Sequence, residues 1–480
     1  MTDNTQSLHQ APSAEVLDRF AGIVGDKFII RDEKEMTPYL NEWRDRYVGK
    51  AACVLLPANT KEVSKIMATA YEHNIAVVPQ GGNTGLVGGQ IPYERGNEIV
   101  VSLSRMDRIY EVNTRNNSMT VEAGVILENA RRAANDAGRL YPLSFGSKKK
   151  CQVGGNLATN AGGLAVLRYG SARNLVLGLE VVLADGQVWD GMRALRKDNS
   201  GYSMKDIFVG SEGTLGIITK AVLKLVQKPA ETVTALIGVD SLQKVADLYS
   251  LGTAIAGQKL TAFEMLPQIA MELLIKHSEE STYPLENRYP WYVMIELSGT
   301  ITNGQAGKLI KMIYNEAKQS GQLSEGFITE TEEQSQQLWD MRSNMSLVQK
   351  LEGGSIKHDV SVPIARIPEF IERANDMVEI MVPGARPVPF GHYGDGNVHY
   401  NISQPVSMDK KTFLAQWECL SAAVHEIVID LGGSISAEHG IGRMKRELLS
   451  KIKTPVELEM MHRIKKALDP KGILNPNKVL

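Results

Sequence analysis

The residues of this chain best suited to metal chemistry lie in the run HYGDGNVH, from His392 to His399. An Asp-Gly pair between extended segments predicts a type I′ hairpin turn, because both central residues of that turn need a positive φ. With Asp395 and Gly396 at the turn, His392 faces His399 across the two strands. Directly opposed residues have Cβ atoms about 5 Å apart. Two imidazoles at that distance can hold one divalent metal ion.

A carboxylate and a further imidazole adjoin between small residues in the run SAEHG at 436–440. Glu438 is therefore a candidate third ligand for the metal. Asn401 alternates onto the same strand face as His399 and can approach the same site. Two imidazoles and one carboxylate leave coordination positions open, as a catalytic metal site requires.

Three glycine-rich loops, at 80–89, 153–163 and 210–216, predict a ligand with several phosphates. Glycine permits positive φ, so successive backbone N–H groups can converge into nests that bind phosphate oxygens. Three such loops, interleaved with Asn and Thr, are typical of one long anionic ligand spread over a domain. The sequence lacks both the G-x-G-x-x-G dinucleotide pattern and the P-loop pattern, which disfavours those two kinds of site.

The secondary-structure elements that must position these groups follow two different patterns along the chain. A helical pattern at 60–73 lies between two short buried strands, which indicates an α/β region. From about residue 231 the strands and helices alternate in the manner of an α+β sandwich. We therefore expect domains at 1–230 and 231–432, followed by a C-terminal segment at 433–480.

Composition and charge exclude several classes of function. With 480 residues, 43% of them hydrophobic and 22% charged, the chain reads as globular and long enough for two or three domains. The 53 Lys and Arg nearly balance the 55 Asp and Glu, so no electrostatic feature points to nucleic acid or an anionic membrane. The N-terminus lacks the features of a signal or transit peptide, and no apolar run approaches the ~18 residues that cross a bilayer. Together with three widely spaced cysteines, these features predict a cytoplasmic protein without a transmembrane segment.

The motifs resemble those of a known family. The loop PQGGNTGLVGG at 79–89 resembles the pyrophosphate loop of FAD enzymes of the vanillyl-alcohol oxidase type, and the segment from 151 to 185 resembles their second flavin segment. The motifs at 392–399, 436–442 and 475–476 resemble those of FAD-linked D-2-hydroxyacid dehydrogenases. The resemblance runs from about residue 44 to residue 477.

The resemblance implies an α+β fold: a PCMH-type (p-cresol methylhydroxylase-type) FAD-binding domain, an α+β substrate or cap domain, and a C-terminal helical segment that closes the active site. The implied FAD is non-covalent, because Asn83 stands where related oxidases can carry a flavin-tethering histidine. The residues expected to contact FAD are Pro79, Gln80, Gly81, Gly82, Asn83, Thr84, Gly85, Gly88, Gly89, Gly154, Gly155, Asn156, Thr159, Asn160, Gly162, Gly163, Gly213, Gly216, Ile217 and Asn475.

The resemblance also implies roles in the second half of the chain. The expected ligands of a divalent metal, usually zinc in the family, are His392, His399 and Glu438, and the expected catalytic base is His439. The expected substrate-binding residues are Arg342, Ser346, Lys357 and Asn401. Ser346 stands where the family often has Thr, which keeps the hydroxyl donor one turn after the arginine.

The expected reaction is oxidation of an (R)-2-hydroxyacid to its 2-oxoacid, with a hydride passing to flavin N5. The first glycine loop is most similar to that of members acting on D-2-hydroxyglutarate, which would yield 2-oxoglutarate, and D-lactate and D-malate are the alternatives. The resemblance implies an electron-transfer flavoprotein or another carrier as oxidant, and a homodimer by analogy. Two hypotheses from other classes are a zinc hydrolase and a flavoprotein binding module without dehydrogenase chemistry.

Overall fold

The computed structural model describes residues 9–278 and 283–480. The described chain divides into two compact units. Unit 1 comprises the described residues up to 163 together with 170–227 and 438–480, and unit 2 comprises 164–169 and 228–437. Among the described residues, no helix combines the length and the apolar character needed to pass through a bilayer.

Helices and strands follow one another along the whole described chain. The helices are α1 (Ala14–Val24), α2 (Glu33–Leu40), α3 (Thr60–Glu72), α4 (Leu127–Asp136), α5 (Val153–Ala158), α6 (Val166–Tyr169), α7 (Lys205–Phe208), α8 (Leu242–Ala256), α9 (Gln268–His277), α10 (Gln305–Gln319), α11 (Glu332–Val348), α12 (Ile367–Met381), α13 (Lys410–Leu414), α14 (Trp417–Asp430), α15 (Arg446–Ile452) and α16 (Pro455–Leu468). The strands are β1 (Ile29–Ile30), β2 (Cys53–Leu55), β3 (Val77–Gln80), β4 (Ile99–Ser102), β5 (Ile109–Asn113), β6 (Ser118–Glu122), β7 (Arg139–Leu140), β8 (Val176–Val182), β9 (Val188–Gly191), β10 (Ile217–Lys224), β11 (Val226–Gln227), β12 (Glu231–Val239), β13 (Leu260–Pro267), β14 (Trp291–Gly299), β15 (Glu325–Ile328), β16 (Ser355–Lys357), β17 (Val360–Ser361), β18 (Arg386–His392) and β19 (Asn397–Ser403).

Unit 1 contains a four-stranded sheet in the order β1-β2-β4-β3 and a five-stranded antiparallel sheet in the order β5-β6-β10-β8-β9. Helix α3 begins where the Asn59 side chain accepts from the backbone N–H of Glu62. Its buried residues Val63, Ile66 and Ala70 recur at helical spacing, so one face of α3 packs into the same core as β2 and β4. Helix α3 between β2 and β3 matches the α/β rhythm predicted at the start of the chain.

Unit 2 is built on one sheet in the order β15-β12-β14-β13-β18-β19-β16, with β17 also paired to β19. Successive residues of a strand point to opposite faces of a sheet. In β13, Phe263 and Met265 join the core under α8, α10, α12 and α14, whereas Leu266 joins the core under α9 and α11. The second face, covered by α9 and α11, carries the polar residues of the candidate site.

Candidate functional site

The hairpin at 392–399 forms, but its predicted register is wrong. Strands β18 and β19 pair with Phe390 opposite His399, two residues away from the predicted pairing of His392 with His399. The connection is a 3₁₀ turn from Tyr393 to Asp395, and only Gly396 of the Asp-Gly pair has positive φ, at 86°. A longer connection therefore replaces the two-residue turn. Because the shift is two residues, both histidines still point to the same face of the sheet.

The two imidazoles are neighbours on that face. The ring centroids of His392 and His399 are 5.6 Å apart, with the rings inclined at 76°. His392 Nδ1 lies 2.6 Å from Glu264 Oε1, and Glu264 is the register partner of His392 on β13. A carboxylate on Nδ1 fixes the tautomer and directs Nε2 toward a metal, which is the usual arrangement of a metal-binding histidine.

Glu264 also holds Arg342, which α11 brings over the same face. Arg342 Nε donates to Glu264 Oε2 at 2.6 Å, and the guanidinium lies 4.9 Å from the centroid of the Phe390 ring. Glu264 is only 1% exposed. Burial alone would raise the pKa of Glu264, but the charges and hydrogen bonds of His392 and Arg342 outweigh burial and lower that pKa to about 2. Glu264 is therefore an anion at neutral pH.

Two further predicted substrate-binding residues, Lys357 and Asn401, lie farther along the same face. Lys357 on β16 is the register partner of Asn401 on β19, and Asn401 Nδ2 donates to Gln349 Oε1 at 2.7 Å. Asn401 shares its face with His399, since the two residues are two apart on one strand. Ser346 belongs to α11, and its side chain lies outside the described part of the structure, so the prediction for Ser346 stays a prediction.

Two more carboxyl groups, both largely shielded from solvent, lie close to this face. Trp339 Nε1 donates to Glu296 Oε2 at 2.6 Å, and burial raises the pKa of Glu296. Burial raises the pKa of Asp395, in the hairpin turn, to about 6. The site face therefore combines three carboxyl groups whose pKa values are pushed in different directions by their surroundings.

Glu438 and His439 are the first two residues of the last segment of unit 1. Ala437, the last residue of unit 2, donates its backbone N–H to the carbonyl oxygen of Asp359 at 3.3 Å. Glu438 follows Ala437 directly in the chain. Within unit 1, His439 Nε2 lies 3.9 Å from Glu438 Oε1. The carboxylate and the imidazole predicted as ligand and base are thus near neighbours of each other.

The first glycine loop of unit 1 has the character of an anion-binding nest. Among the described residues, none of the backbone N–H groups from Gly82 to Gly89 donates a hydrogen bond to a protein acceptor. The loop is held from outside instead, since Asn83 Nδ2 donates to the carbonyl oxygens of Pro38 and Asn41 at 2.9 Å. Asn83 has φ of 51°, a conformation that Asn tolerates. A row of backbone donors turned away from protein acceptors suits a pyrophosphate.

The first glycine loop is in close contact with the second and with the residues that precede it, and a Cβ added at Gly81 would lie 3.5 Å from Gly155 Cα. A Cβ added at Gly82 would lie 2.1 Å from the carbonyl oxygen of Lys150, so only glycine fits there. In the second loop, Asn156 Nδ2 is buried and meets no oxygen or nitrogen acceptor among the described residues. An orphaned buried donor beside a nest of backbone donors fits an anionic ligand such as FAD better than a closed protein core.

The third loop and the C-terminal segment are joined by Glu212. Its Oε1 and Oε2 accept from the backbone N–H groups of Ile441 and Gly442 at 2.7 and 2.8 Å. Asn475 Nδ2 donates to the carbonyl oxygens of Glu212 and Gly89, both at 2.9 Å. Asn475 therefore connects the first and third glycine loops, although its own Oδ1 is buried and meets no donor among the described residues.

Sequence reasoning missed Glu264, Gln349 and the anchoring role of Glu212. A signal for Glu264 was available, because it is the one charged residue in the otherwise apolar or hydroxylic run LTAFEMLP. A signal for Gln349 was available in its spacing, since it lies seven residues after Arg342 on the same helical stripe. Glu212 carried no signal of its anchoring role, because its partners lie more than two hundred residues away.

Comparisons with known proteins agree with the two halves of this arrangement. Residues 51–191 match a family model described as an FAD binding domain, and residues 228–479 match the C-terminal domain of FAD linked oxidases. The chain is 37% identical to the D-2-hydroxyglutarate dehydrogenase of Bos taurus, over 94% of this chain and 81% of that protein. It is 34% identical to the D-2-hydroxyglutarate–pyruvate transhydrogenase of Saccharomyces cerevisiae, over 98% of this chain and 96% of that protein.

Solved structures confirm the predicted fold. p-Cresol methylhydroxylase with bound substrate superimposes with a TM-score of 0.76 at 18% identity, covering 97% of this chain and 96% of that chain. The 4-ethylphenol oxidase of Gulosibacter chungangensis superimposes with a TM-score of 0.74 at 20% identity, covering 98% of both chains. At these identities the likeness shows the fold alone. A PCMH-type FAD-binding domain followed by a cap domain is the architecture of this chain.

The prediction of a cytoplasmic location is wrong. The relatives from Arabidopsis thaliana, Danio rerio, Bos taurus and Rattus norvegicus, at 35–38% identity, are named as mitochondrial proteins. These names point to the mitochondrion. The prediction rested on the composition of the N-terminus, of which residues 1–8 lie outside the described residues, and on the three widely spaced cysteines.

Proposed function

The chain belongs to the family of FAD-linked oxidases and is an FAD-dependent oxidoreductase, and on this premise we propose that it oxidises D-2-hydroxyglutarate to 2-oxoglutarate. The observation that carries the proposal lies on one face of the unit 2 sheet. The imidazole pair of His392 and His399 lies on that face together with two cationic side chains, Arg342 and Lys357. A substrate with one carboxylate beside its hydroxyl and a second carboxylate farther away needs a metal site for the first group and cationic side chains for the second. A zinc hydrolase would have no use for the FAD-binding domain.

A divalent metal is proposed to bind His392, His399 and Glu438. The hydrogen bond between His392 Nδ1 and Glu264 supports His392 as a ligand, because a carboxylate on Nδ1 fixes the orientation of the ring and makes Nε2 the ligand atom. The anchoring of Ala437 to Asp359 supports Glu438 as a third ligand, because one peptide unit separates Glu438 from that hydrogen bond. Such an ion, when bound, supplies a Lewis acid that lowers the pKa of the substrate hydroxyl. This donor set is that of a catalytic zinc site with open positions.

His439 is proposed to remove the proton from the hydroxyl of the substrate. An imidazole ionises near neutral pH and can accept a proton without a large penalty. The neighbouring Glu438 carboxylate favours the resulting imidazolium, since its Oε1 lies 3.9 Å from His439 Nε2. FAD, when bound, supplies the acceptor for the hydride that leaves C2 of the substrate. The proton and the hydride together account for the two-electron oxidation of the alcohol.

Arg342 and Lys357 are proposed to bind the carboxylate that lies away from the hydroxyl. With Nε engaged by Glu264, the guanidinium of Arg342 is held in one orientation, and its terminal Nη groups are proposed to donate to the carboxylate. Asn401 and Ser346 are proposed to complete the contacts to the substrate. The charge of Arg342 is partly offset by Glu264, so Lys357 is expected to provide much of the net attraction for a second carboxylate.

The proposal is tested by a substrate panel with an artificial electron acceptor. The FAD-replete protein should oxidise D-2-hydroxyglutarate and leave L-2-hydroxyglutarate unchanged. Treatment with a chelator should abolish turnover while the yellow flavin absorbance stays, and zinc should restore turnover. A protein that carries FAD but oxidises no D-2-hydroxyacid refutes the proposed function, and turnover that survives complete metal removal refutes the metal role.

D-Lactate is the second candidate substrate, because a relative from Schizosaccharomyces pombe at 35% identity is named as a D-lactate dehydrogenase. D-Malate belongs to the same panel as the shorter dicarboxylate. An electron-transfer flavoprotein or another carrier is proposed as the physiological oxidant, and a homodimer stays a prediction by analogy. Reoxidation of the reduced protein by purified electron-transfer flavoprotein under anaerobic conditions would test the acceptor.

A further inference from the structure

We propose that Gln349 is a specificity-determining residue that donates a hydrogen bond to the carboxylate farthest from the substrate hydroxyl. The inference rests on the proposed function, since it assumes a 2-hydroxyacid with a second carboxylate. It adds to Arg342 and Lys357 a neutral donor that no sequence motif indicated.

The position of Gln349 follows from the periodicity of α11. Residues at i and i+7 share one face of a helix, so the face that carries Arg342 also carries Gln349. Helix α11 ends at Val348, and Gln349 begins the 3₁₀ turn that follows. Gln349 is only 1% exposed, so its side chain is buried at this end of the helix face.

The amide of Gln349 is held at one end and lacks an acceptor at the other. Asn401 Nδ2 donates to Gln349 Oε1 at 2.7 Å, which fixes the plane of the Gln349 amide. Gln349 Nε2 is buried and meets no acceptor among the described residues. Buried amide groups in folded proteins almost always find partners. An orphaned donor in this place therefore indicates a group that arrives with a ligand.

The charges around Gln349 identify that ligand group as an anion. Lys357 is the register partner of Asn401, the residue that holds the Gln349 amide. Arg342 lies two turns back on the same stripe of α11, and it shares the carboxylate of Glu264 with His392. Because the carboxylate of Glu264 is divided between Arg342 and His392, it offsets the charge of Arg342 only in part, and Lys357 adds a second positive charge. A second carboxylate, which offers about four acceptor sites, matches both that charge and the orphaned donor of Gln349.

The hydrogen bond between Asn401 and Gln349 also orients the Asn401 side chain. Because Asn401 uses an N–H on Gln349, its own amide plane is fixed, and Gln349 positions a predicted substrate-binding residue as well. A purely positioning role would weaken all substrates alike. A donor to the far carboxylate would weaken only the substrates that possess one. A positioning role and a donor role therefore predict different losses of kcat/KM on monocarboxylate and dicarboxylate substrates.

The test compares Gln349→Met with wild type on D-2-hydroxyglutarate and D-lactate. Met has nearly the length of Gln and no N–H, so the volume is kept and the donor is lost. We expect kcat/KM for D-2-hydroxyglutarate to fall about tenfold to hundredfold, the usual cost of a lost hydrogen bond to a charged group. The loss on D-lactate should be smaller by at least about tenfold. The matched control is Gln336→Met, on the exposed face of the same helix.

A binding measurement separates specificity from chemistry. Glutarate and butyrate differ by one carboxylate, and neither carries a hydroxyl to oxidise. In Gln349→Met the affinity of the FAD-replete protein for glutarate, followed by the perturbation of the flavin spectrum, should fall about tenfold, with butyrate affected less. Gln349→Glu should weaken glutarate further, because it places a negative charge where the donor was.

The outcomes are distinguishable. Equal losses on D-2-hydroxyglutarate and D-lactate would show that Gln349 only positions Asn401, and no loss on either would show that its Nε2 meets a water molecule; both results overturn this inference and leave the proposed function standing. A wild-type protein that oxidises neither acid overturns the proposed function, and with it this inference. A loss confined to the dicarboxylates, in both kinetics and binding, supports it.

Discussion

His392 Nδ1 and Glu264 Oε1 lie 2.6 Å apart, on directly paired residues of two neighbouring strands. The other oxygen of the same carboxylate accepts from Arg342 at 2.6 Å. One buried carboxylate thus orients a proposed metal ligand and a proposed substrate ligand at once. A change at Glu264 should therefore disturb metal binding and substrate binding together.

We expect Glu264→Gln to lower the affinity for zinc about tenfold or more, the usual cost of losing the partner of a metal-binding histidine. Gln keeps the size of Glu but offers one acceptor oxygen where two are used. The metal content after dialysis against a graded series of zinc buffers measures the effect. The control is Glu272→Gln, an exposed carboxylate on α9. An unchanged zinc content would contradict the orienting role of Glu264.

Arg342→Lys should separate dicarboxylates from monocarboxylates. Lys keeps the charge but loses both the planar fork and the Nε–H that reaches Glu264. We expect kcat/KM for D-2-hydroxyglutarate to fall roughly 30- to 160-fold, which corresponds to about 2–3 kcal/mol, and kcat/KM for D-lactate to fall by much less. Steady-state kinetics on the two acids measures the difference. Equal losses on both acids would refute the assignment of Arg342 to the second carboxylate.

The hairpin shows what turn chemistry predicts and where it fails. The sequence placed both histidines on one face, and that survived because a register shift of two residues preserves the face. In place of the predicted turn, Tyr393 begins a 3₁₀ turn and packs in an aromatic cluster, with ring centroids 5.6 Å from Tyr249 and 5.7 Å from Phe263. Packing of this kind cannot be read from residues 392–399 alone.

The residues that sequence reasoning missed depend on pairings between distant segments. Arg342 and Ser346 were assigned to one face from their i, i+4 spacing, which is local information. The importance of Glu264 comes from the pairing of β13 with β18, more than a hundred residues apart in the chain. The spacing of Gln349 from Arg342 places it on the same face of the helix, but its contact with Asn401 depends on how distant segments pack. Local periodicity predicts faces, whereas strand order decides which faces meet.

Glu212→Gln should loosen the C-terminal segment of unit 1. The carboxylate accepts from two backbone N–H groups, of Ile441 and Gly442, and a neutral amide can satisfy only one of them well. The expected cost is about 2 kcal/mol of unfolding free energy, together with a lower FAD occupancy. Differential scanning fluorimetry and the ratio of flavin to protein absorbance measure the two effects.

The control for Glu212 is Glu111→Gln, an exposed carboxylate in the same unit. If Glu212→Gln melts at the wild-type temperature with full FAD occupancy, Glu212 does not anchor the segment that follows His439.

Lys478 leads to a prediction about pH. It is only 2% exposed, and burial lowers its pKa from 10.5 to about 8. Between pH 8 and 10.5 the unfolded chain binds a proton at this position that the folded chain has lost, so the folded state gains stability as the pH rises through that window. Below pH 8 the full penalty of burying the charge is present, about 3 kcal/mol.

Lys478→Met removes that dependence of stability on pH. The melting temperature of the variant minus that of wild type should therefore decrease from pH 7.5 to pH 10, and the exposed Lys466→Met should show no such trend. A difference that stays constant across the window would show that Lys478 is not penalised by its burial.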